Sequence, residues 1–198
     1  MVRQRIGLLG GSFDPVHVAH IALANAAQRD INLNQVQLIP AANPWQKKHL
    51  GASATQRLAM LQLAVKPYPK LTVNPIEIQR GGSTYTYDTV SQLTDQAHYF
   101  WILGSDQLQN FHTWHRWQDI LNYVDLAVAQ RPGSSLLPAP ELQQYLQHQG
   151  KTISIIDFAP TPISATLIRK RLQQHQSVAN MLPQSIEHYI KQHNIYQP

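Results

Sequence analysis

The chain has 198 residues, of which 43% are hydrophobic and only 14% charged, and its formal net charge is +5 at neutral pH. It contains no cysteine, which excludes disulfides and thiolate metal sites, and no apolar run approaches the length of about 18 residues that a membrane helix needs. The sequence therefore predicts a single domain over residues 1–198, with a sizeable core, no membrane contact and a cytoplasmic location.

The chain opens with a predicted strand, a glycine turn and a helix. Residues 6–9 are an apolar run typical of a buried strand, and residues 18–29 have helical periodicity. Between them, Gly10 and Gly11 can adopt a positive φ without strain and let the backbone approach a ligand closely. Because the free N–H groups and the dipole at a helix start attract anions, this segment predicts a ligand site after the first strand.

Two histidines accompany this helix start. His17 and His20 are three residues apart, a spacing that makes them neighbours on one face of the first turn. Two ring donors at that place indicate a phosphate as the ligand. The alternative interpretation is a structural glycine turn with two incidental histidines.

Short apolar runs and helical patterns alternate along the remaining chain. Further strands are predicted over residues 36–39, 71–73, 76–78, 99–103, 125–129 and 153–156. Further helices are predicted over residues 54–65, 86–94 and 183–193 and after Ser164, and residues 132–140 are expected to be a surface loop. The alternation predicts an α/β fold with one Rossmann-like, doubly wound parallel sheet and helices on both faces. Ligands of such sheets bind beyond the carboxyl ends of strands, where Gly10, Pro40, Gly104 and Arg131 are expected.

A second phosphate cradle is predicted at residues 163–172. Ser164 follows a proline-rich loop and is a natural N-cap, and Thr166 adds a second hydroxyl to the opening turn. Arg169 lies one turn beyond Thr166 and can face the same side. Hydroxyls, free N–H groups and a guanidinium together suit a polyphosphate. The alternative is an ordinary Ser-capped helix that carries an arginine.

Together the two segments resemble the nucleotidyltransferases of the HxGH class, and within that class the bacterial nicotinate-nucleotide adenylyltransferases. The residues that carry the resemblance are Gly-Gly-Ser-Phe-Asp-Pro-Val-His-Val-Ala-His at 10–20 and Ile-Ser-Ala-Thr-Leu-Ile-Arg at 163–169. The similarity extends from Ile6 to about Tyr196, and Ala19 stands where the family usually has glycine. The resemblance implies transfer of the adenylyl group of ATP to nicotinate mononucleotide, which gives deamido-NAD and pyrophosphate. It also implies Mg²⁺ bound through the ATP phosphates, with no metal ligand supplied by the protein.

The same resemblance implies roles for individual residues. The residues implied in catalysis are His17, His20, Lys47 and Arg169. Those implied in ATP binding are Gly10, Gly11, Ser12, Phe13, His17, His20, Gly104, Asp106, Arg131, Ile163, Ser164, Thr166 and Arg169. Those implied in binding nicotinate mononucleotide are Lys47, Thr86, Tyr87, Trp114 and His115. Trp114 would stack on the pyridine ring, and the backbone N–H groups of Tyr87 and His115 would bond the carboxylate.

Several of these positions also have other interpretations. Lys48 is an alternative to Lys47, and Asp106 could cap the helix that follows its strand. Asp14 is expected to bond turn amides beside Pro15. Trp101 and Trp117 are expected in the core.

Other functions remain as alternatives. Adenylyltransferases for nicotinamide mononucleotide or phosphopantetheine share the first motif, whereas Thr86-Tyr87 and Trp114-His115 favour nicotinate. A non-catalytic nucleotide-binding or nucleic-acid-binding module is a remote alternative, because the basic residues are scattered instead of clustered. The expected partners are ATP and nicotinate mononucleotide, without nucleic acid or membrane, and homo-oligomer formation stays open.

Overall fold

The computed structural model describes residues 3–44, 50–94, 96–130, 136–159 and 161–197. In these ranges six parallel strands form one sheet in the order β3-β2-β1-β4-β5-β6. The strands are β1 (Gln4–Gly11), β2 (Gln35–Pro40), β3 (Leu71–Val73), β4 (Ala97–Gly104), β5 (Val124–Gln130) and β6 (Ser154–Asp157). The strand order reverses between β1 and β4, so the predicted doubly wound sheet is confirmed and its ligand crevice is expected there.

Helices cover both faces of the sheet. They are α1 (Val18–Asp30), α2 (Ala54–Val65), α3 (Ile76–Arg80), α4 (Thr86–Val90), α5 (Ser105–Asn110), α6 (Trp117–Ile120), α7 (Pro140–His148), α8 (Ala165–Gln173) and α9 (Gln184–Gln192). None of the helices in the described ranges is long and apolar enough to cross a membrane.

The central strands bury side chains on both faces. Along β4, Tyr99, Trp101 and Leu103 belong to one apolar cluster, whereas Phe100 and Ile102 belong to the other. Successive strand residues point to opposite faces, and a parallel sheet covered by helices therefore reads as a continuous apolar run. This explains why the strands were predictable from apolar runs alone.

Helix α6 was not predicted, and three further segments differ from the sequence predictions. Residues 76–78 are helical, not a strand: Asn74 Oδ1 accepts from the N–H of Ile76 at 3.1 Å, which starts α3. Helix α4 ends at Val90 and not at residue 94, because the chain turns there and the N–H of Leu93 bonds back to Val90. Helix α7 was not predicted; it begins at Pro140, a favoured first helical position, and is too short for a clear periodicity.

Candidate active site

The turn after β1 owes its shape to close packing. Gly10 and Gly11 are the last residues of β1, and neither has a positive φ, so that expectation was wrong. Both positions are crowded instead: a Cβ on Gly10 would lie 3.0 Å from the Trp101 indole, and one on Gly11 would lie 3.1 Å from the Phe13 ring. The left-handed residue of the turn is Phe13, whose φ is 46° and whose side chain is buried. Gly10 and Gly11 are therefore needed because a larger side chain would collide with these aromatic rings.

His17 and His20 lie together at the start of α1, as their spacing predicts. His17 is the N-cap, and its backbone N–H donates to Nδ1 of His20 at 3.2 Å. The two rings stack with centroids 3.7 Å apart. Because Nδ1 of His20 accepts a bond, a neutral His20 ring carries its proton on Nε2 and can donate from there.

The His17 ring is buried and neutral. Burial lowers the pKa of His17 to about 4, so at neutral pH the ring carries one proton and no charge. Its Nδ1 atom is buried and has no hydrogen-bond partner among the described residues. A buried polar atom without a partner at a helix start suits a bound polar ligand.

The second predicted cradle is joined directly to the first. Ser164 caps α8, where its Oγ accepts from the N–H of Leu167 at 3.1 Å, as predicted. Arg169 donates from Nη2 to Thr166 Oγ1 at 3.4 Å and from Nη1 to the carbonyl of Asp14 at 2.7 Å. The α8 start and the turn after β1 therefore meet, although they are 155 positions apart in sequence.

Asp14 lies at the centre of this junction. Its side chain is 1% exposed and accepts from the N–H groups of Gly51 at 2.8 Å and Ala52 at 2.9 Å and from the Tyr196 hydroxyl at 2.8 Å. Its structural role is as predicted, but the bonded amides precede α2 and do not lie beside Pro15. Burial and the Asp14 charge both raise the pKa of Tyr196, which keeps that hydroxyl a donor.

A buried arginine, missed in the sequence, supports the same turn. Arg57 in α2 is 1% exposed and donates from Nη1 to the carbonyls of Ser12 at 2.8 Å and Ala41 at 2.7 Å. From Nη2 it donates to the carbonyl of Ala42 at 3.0 Å. Burial lowers the pKa of Arg57, and the charge of nearby Asp14 opposes that effect. The only sequence signal was a basic residue on the inner face of an apolar helix.

A cavity of about 650 Å³ opens beside the turn. Seven of the predicted site residues line it: Gly10, Gly11, Ser12, Thr86, Gly104, Trp114 and His115. Trp114 is half-buried and packs on Phe111, with ring centroids 5.0 Å apart. Trp101 is buried in the core as expected but also lines the cavity, whereas Trp117 is only partly buried and packs against the core.

Other predicted residues do not line the cavity: Phe13, His17, His20, Tyr87, Asp106, Ile163, Ser164, Thr166 and Arg169. The Tyr87 ring lies under the Arg116 guanidinium at 3.7 Å and does not line the cavity. Asp106 is exposed in the first turn of α5, and the N-cap of that helix is Gly104, so the capping interpretation of Asp106 was wrong. Lys47, Lys48 and Arg131 lie outside the described residues.

Glu77 is a second residue that the sequence patterns missed. It is 3% exposed, lines the cavity, and accepts from Thr89 Oγ1 at 2.6 Å. Burial raises the pKa of Glu77 to about 7, although the Thr89 bond and the charge of Arg80 oppose the shift. Because Glu77 lies between Ile76 and Ile78, the alternation of apolar and polar residues predicted that it would be an exposed residue of a strand.

A metal ion has no protein cage in the described part of the chain, which holds no group of three or more histidine, aspartate or glutamate side chains placed to bind one.

Comparisons with known proteins identify the family of this chain. The cytidylyltransferase-like family model matches residues 8–171. The chain is 53% identical over 195 residues to a probable nicotinate-nucleotide adenylyltransferase of Bordetella avium, covering 98% of this chain and 99% of the relative. A protein of the same description from Neisseria meningitidis serogroup C is 38% identical, with 98% and 99% coverage.

The fold also matches solved structures. Plasmodium falciparum nicotinic acid mononucleotide adenylyltransferase complexed with NaAD superposes with a TM-score of 0.77 at 19% identity, covering 98% of this chain and 97% of that one. The same Plasmodium protein complexed with APC gives a TM-score of 0.74 at 18% identity, with the same coverage. At these identities the likeness supports the fold.

Proposed function

Because the chain belongs to the nicotinate-nucleotide adenylyltransferases, within the cytidylyltransferase-like family, we propose that its joined helix starts bind ATP and its cavity binds nicotinate mononucleotide. The enzyme transfers the adenylyl group of ATP to nicotinate mononucleotide and releases pyrophosphate. The observation that supports the residue assignment is the Arg169 bond to the carbonyl of Asp14, which links α8 to the turn between β1 and α1. Gly10, Gly11 and Ser12, just before Asp14, line the cavity.

On the ATP side, the chain supplies donors to phosphate oxygens. His17 offers a neutral buried ring and His20 an Nε2 proton, and Thr166 and Arg169 add a hydroxyl and a guanidinium. The 5′-phosphate of the mononucleotide attacks the α-phosphorus of ATP. Negative charge builds up on the phosphate oxygens in the transition state. Donors already held in place stabilise that charge, and no side-chain nucleophile is needed.

On the mononucleotide side, the cavity has a size suited to a small ligand. Trp114 offers an aromatic ring to the pyridine, and Thr86 and His115 border the same space. By the family resemblance, the nicotinate carboxylate would bond the backbone N–H of His115, which lines the cavity, and that of Tyr87, which follows the lining residue Thr86. Because the proposed contact is from the backbone, a histidine at position 115 serves as well as another side chain.

Magnesium fits this site as a companion of the triphosphate. The described residues supply donors for phosphate and no carboxylate cage, so the ion would arrive on the ATP oxygens and neutralise part of their charge. Asp106 near the ribose, and Lys47 and Arg131 as phosphate contacts, are proposed from the family resemblance. We further propose that the chain acts as a single domain in the cytoplasm, without a nucleic-acid partner.

A direct assay tests the function. Purified protein with magnesium, ATP and nicotinate mononucleotide should release pyrophosphate and form a dinucleotide. Parallel reactions with nicotinamide mononucleotide and phosphopantetheine test the alternative acceptors. Absence of pyrophosphate release with every pyridine mononucleotide would refute the assignment.

A further inference from the structure

Glu77 is the one acidic side chain among the described residues that line the cavity. It lies in α3, and the same cavity wall includes Thr86 and His115, which border the space proposed for the nicotinate ring. Neither the phosphate chemistry nor the stacking described above uses this carboxyl. A buried titratable group in a binding cavity is a candidate for a functional role.

Among the described residues, the Glu77 carboxyl has no direct counter-ion. None of the described residues forms an ion pair with it, and its bonded neighbour is the neutral hydroxyl of Thr89, at 2.6 Å. Arg80 is one step further away: Nη1 and Nη2 donate to that hydroxyl at 3.4 and 3.3 Å, and Nη1 also bonds the carbonyl of Asp88. The other titratable groups that line the cavity are His115 and Tyr85.

The proposed substrate brings a second carboxylate into this cavity. Two carboxylates that share one cavity disfavour each other's ionisation, and the group that is easier to protonate takes up a proton. Neutral Glu77 can keep the Thr89 bond at Oε1 and carry its proton on Oε2. That oxygen then no longer repels the substrate carboxylate and can donate a hydrogen bond.

We propose that Glu77 takes up a proton from solvent when nicotinate mononucleotide binds, and thereby makes the preference for acid over amide depend on pH. This inference rests on the proposed placement of nicotinate in the cavity. Nicotinamide mononucleotide has the same 5′-phosphate but no ring carboxylate, so it should bind without that proton. The ratio of the two affinities therefore isolates the effect from titration of the phosphate.

The direction of the pH effect follows because, in this proposal, only the protein with neutral Glu77 binds nicotinate mononucleotide well. Since burial raises the pKa of Glu77 to about 7, the carboxyl is largely protonated at pH 6.5 and largely ionised at pH 8.5. The apparent affinity for the acid falls with the protonated fraction. We expect the acid-to-amide ratio of affinities to fall on the order of tenfold over this interval.

The test measures binding directly. Titration calorimetry of both mononucleotides at pH 6.5 and 8.5 gives the ratio, and repetition in two buffers of different ionisation enthalpy counts protons taken up. The wild-type protein should take up a proton with the acid at pH 8.5 and none with the amide. Glu77→Gln should lose both the proton uptake and the pH dependence, whereas Glu141→Gln, at an exposed carboxyl in α7, should behave as wild type.

The outcomes separate this inference from the function. A flat ratio without proton uptake in the wild-type protein would overturn the role of Glu77, and pyrophosphate release would still support adenylyl transfer. Persistence of the effect in Glu77→Gln would also overturn it. If that variant does not fold, His115→Gln decides: retained proton uptake supports Glu77, and its loss assigns the proton to His115 and overturns the proposal.

Discussion

Replacement of Arg57 tests whether the buried guanidinium organises the turn at the proposed ATP site. In Arg57→Met the aliphatic stem keeps its packing, but three carbonyls lose their donor: those of Ser12, Ala41 and Ala42. Asp14 also loses a nearby positive charge. Removal of one partner from a buried charged network costs about 3–5 kcal/mol.

That cost is large compared with the whole stability of a domain, which is about 5–15 kcal/mol. Urea unfolding followed by circular dichroism should therefore show a much lower midpoint for Arg57→Met. The urea midpoint of Arg57→Lys should lie between those of the wild-type protein and Arg57→Met. A lysine ammonium can bond some of the three carbonyls, but it lacks the planar guanidinium group that reaches all of them.

The matched control is Arg29→Met. The Arg29 side chain is 67% exposed and pairs with Asp30 at the surface, so its loss should cost less than about 1 kcal/mol. If Arg57→Met unfolds within about 1 kcal/mol of this control, the buried bonds do not hold the turn and the reasoning fails.

Three further changes test other parts of the site. His20→Ala should lower kcat about a hundredfold, equivalent to about 3 kcal/mol, with little effect on KM, because its donor acts on charge that develops during transfer; steady-state kinetics with near-normal kcat would contradict this. Trp114→Ala should weaken binding of both pyridine mononucleotides equally in calorimetry, because stacking does not distinguish acid from amide; a changed ratio would place Trp114 elsewhere. Ser164→Ala should cost about 1 kcal/mol in urea unfolding, because the N–H of Leu167 loses its cap, and an unchanged midpoint would show that the cap contributes nothing.

Much of the site was predictable because its signals are local. The bond from Ser164 to the Leu167 N–H and the contact between His17 and His20 each span three residues, so spacing alone places them. The buried strands of a parallel sheet are apolar on both faces, and they are visible in the sequence for that reason. Short helices such as α3 were not predictable, because their stability comes from neighbours that the pattern does not contain.

The sequence by itself determined the alternating strands and helices of the parallel sheet, and it predicted a ligand site at the strand ends and two separate helix starts suited to anions. Only the tertiary structure decided that Arg169 bonds the turn before α1 at Asp14, that Arg57 bonds the same turn at Ser12, and that Glu77 lines the cavity. The physical reason is burial. A charged side chain has the same local pattern whether exposed or enclosed, and only the packing around it decides its partners and its protonation.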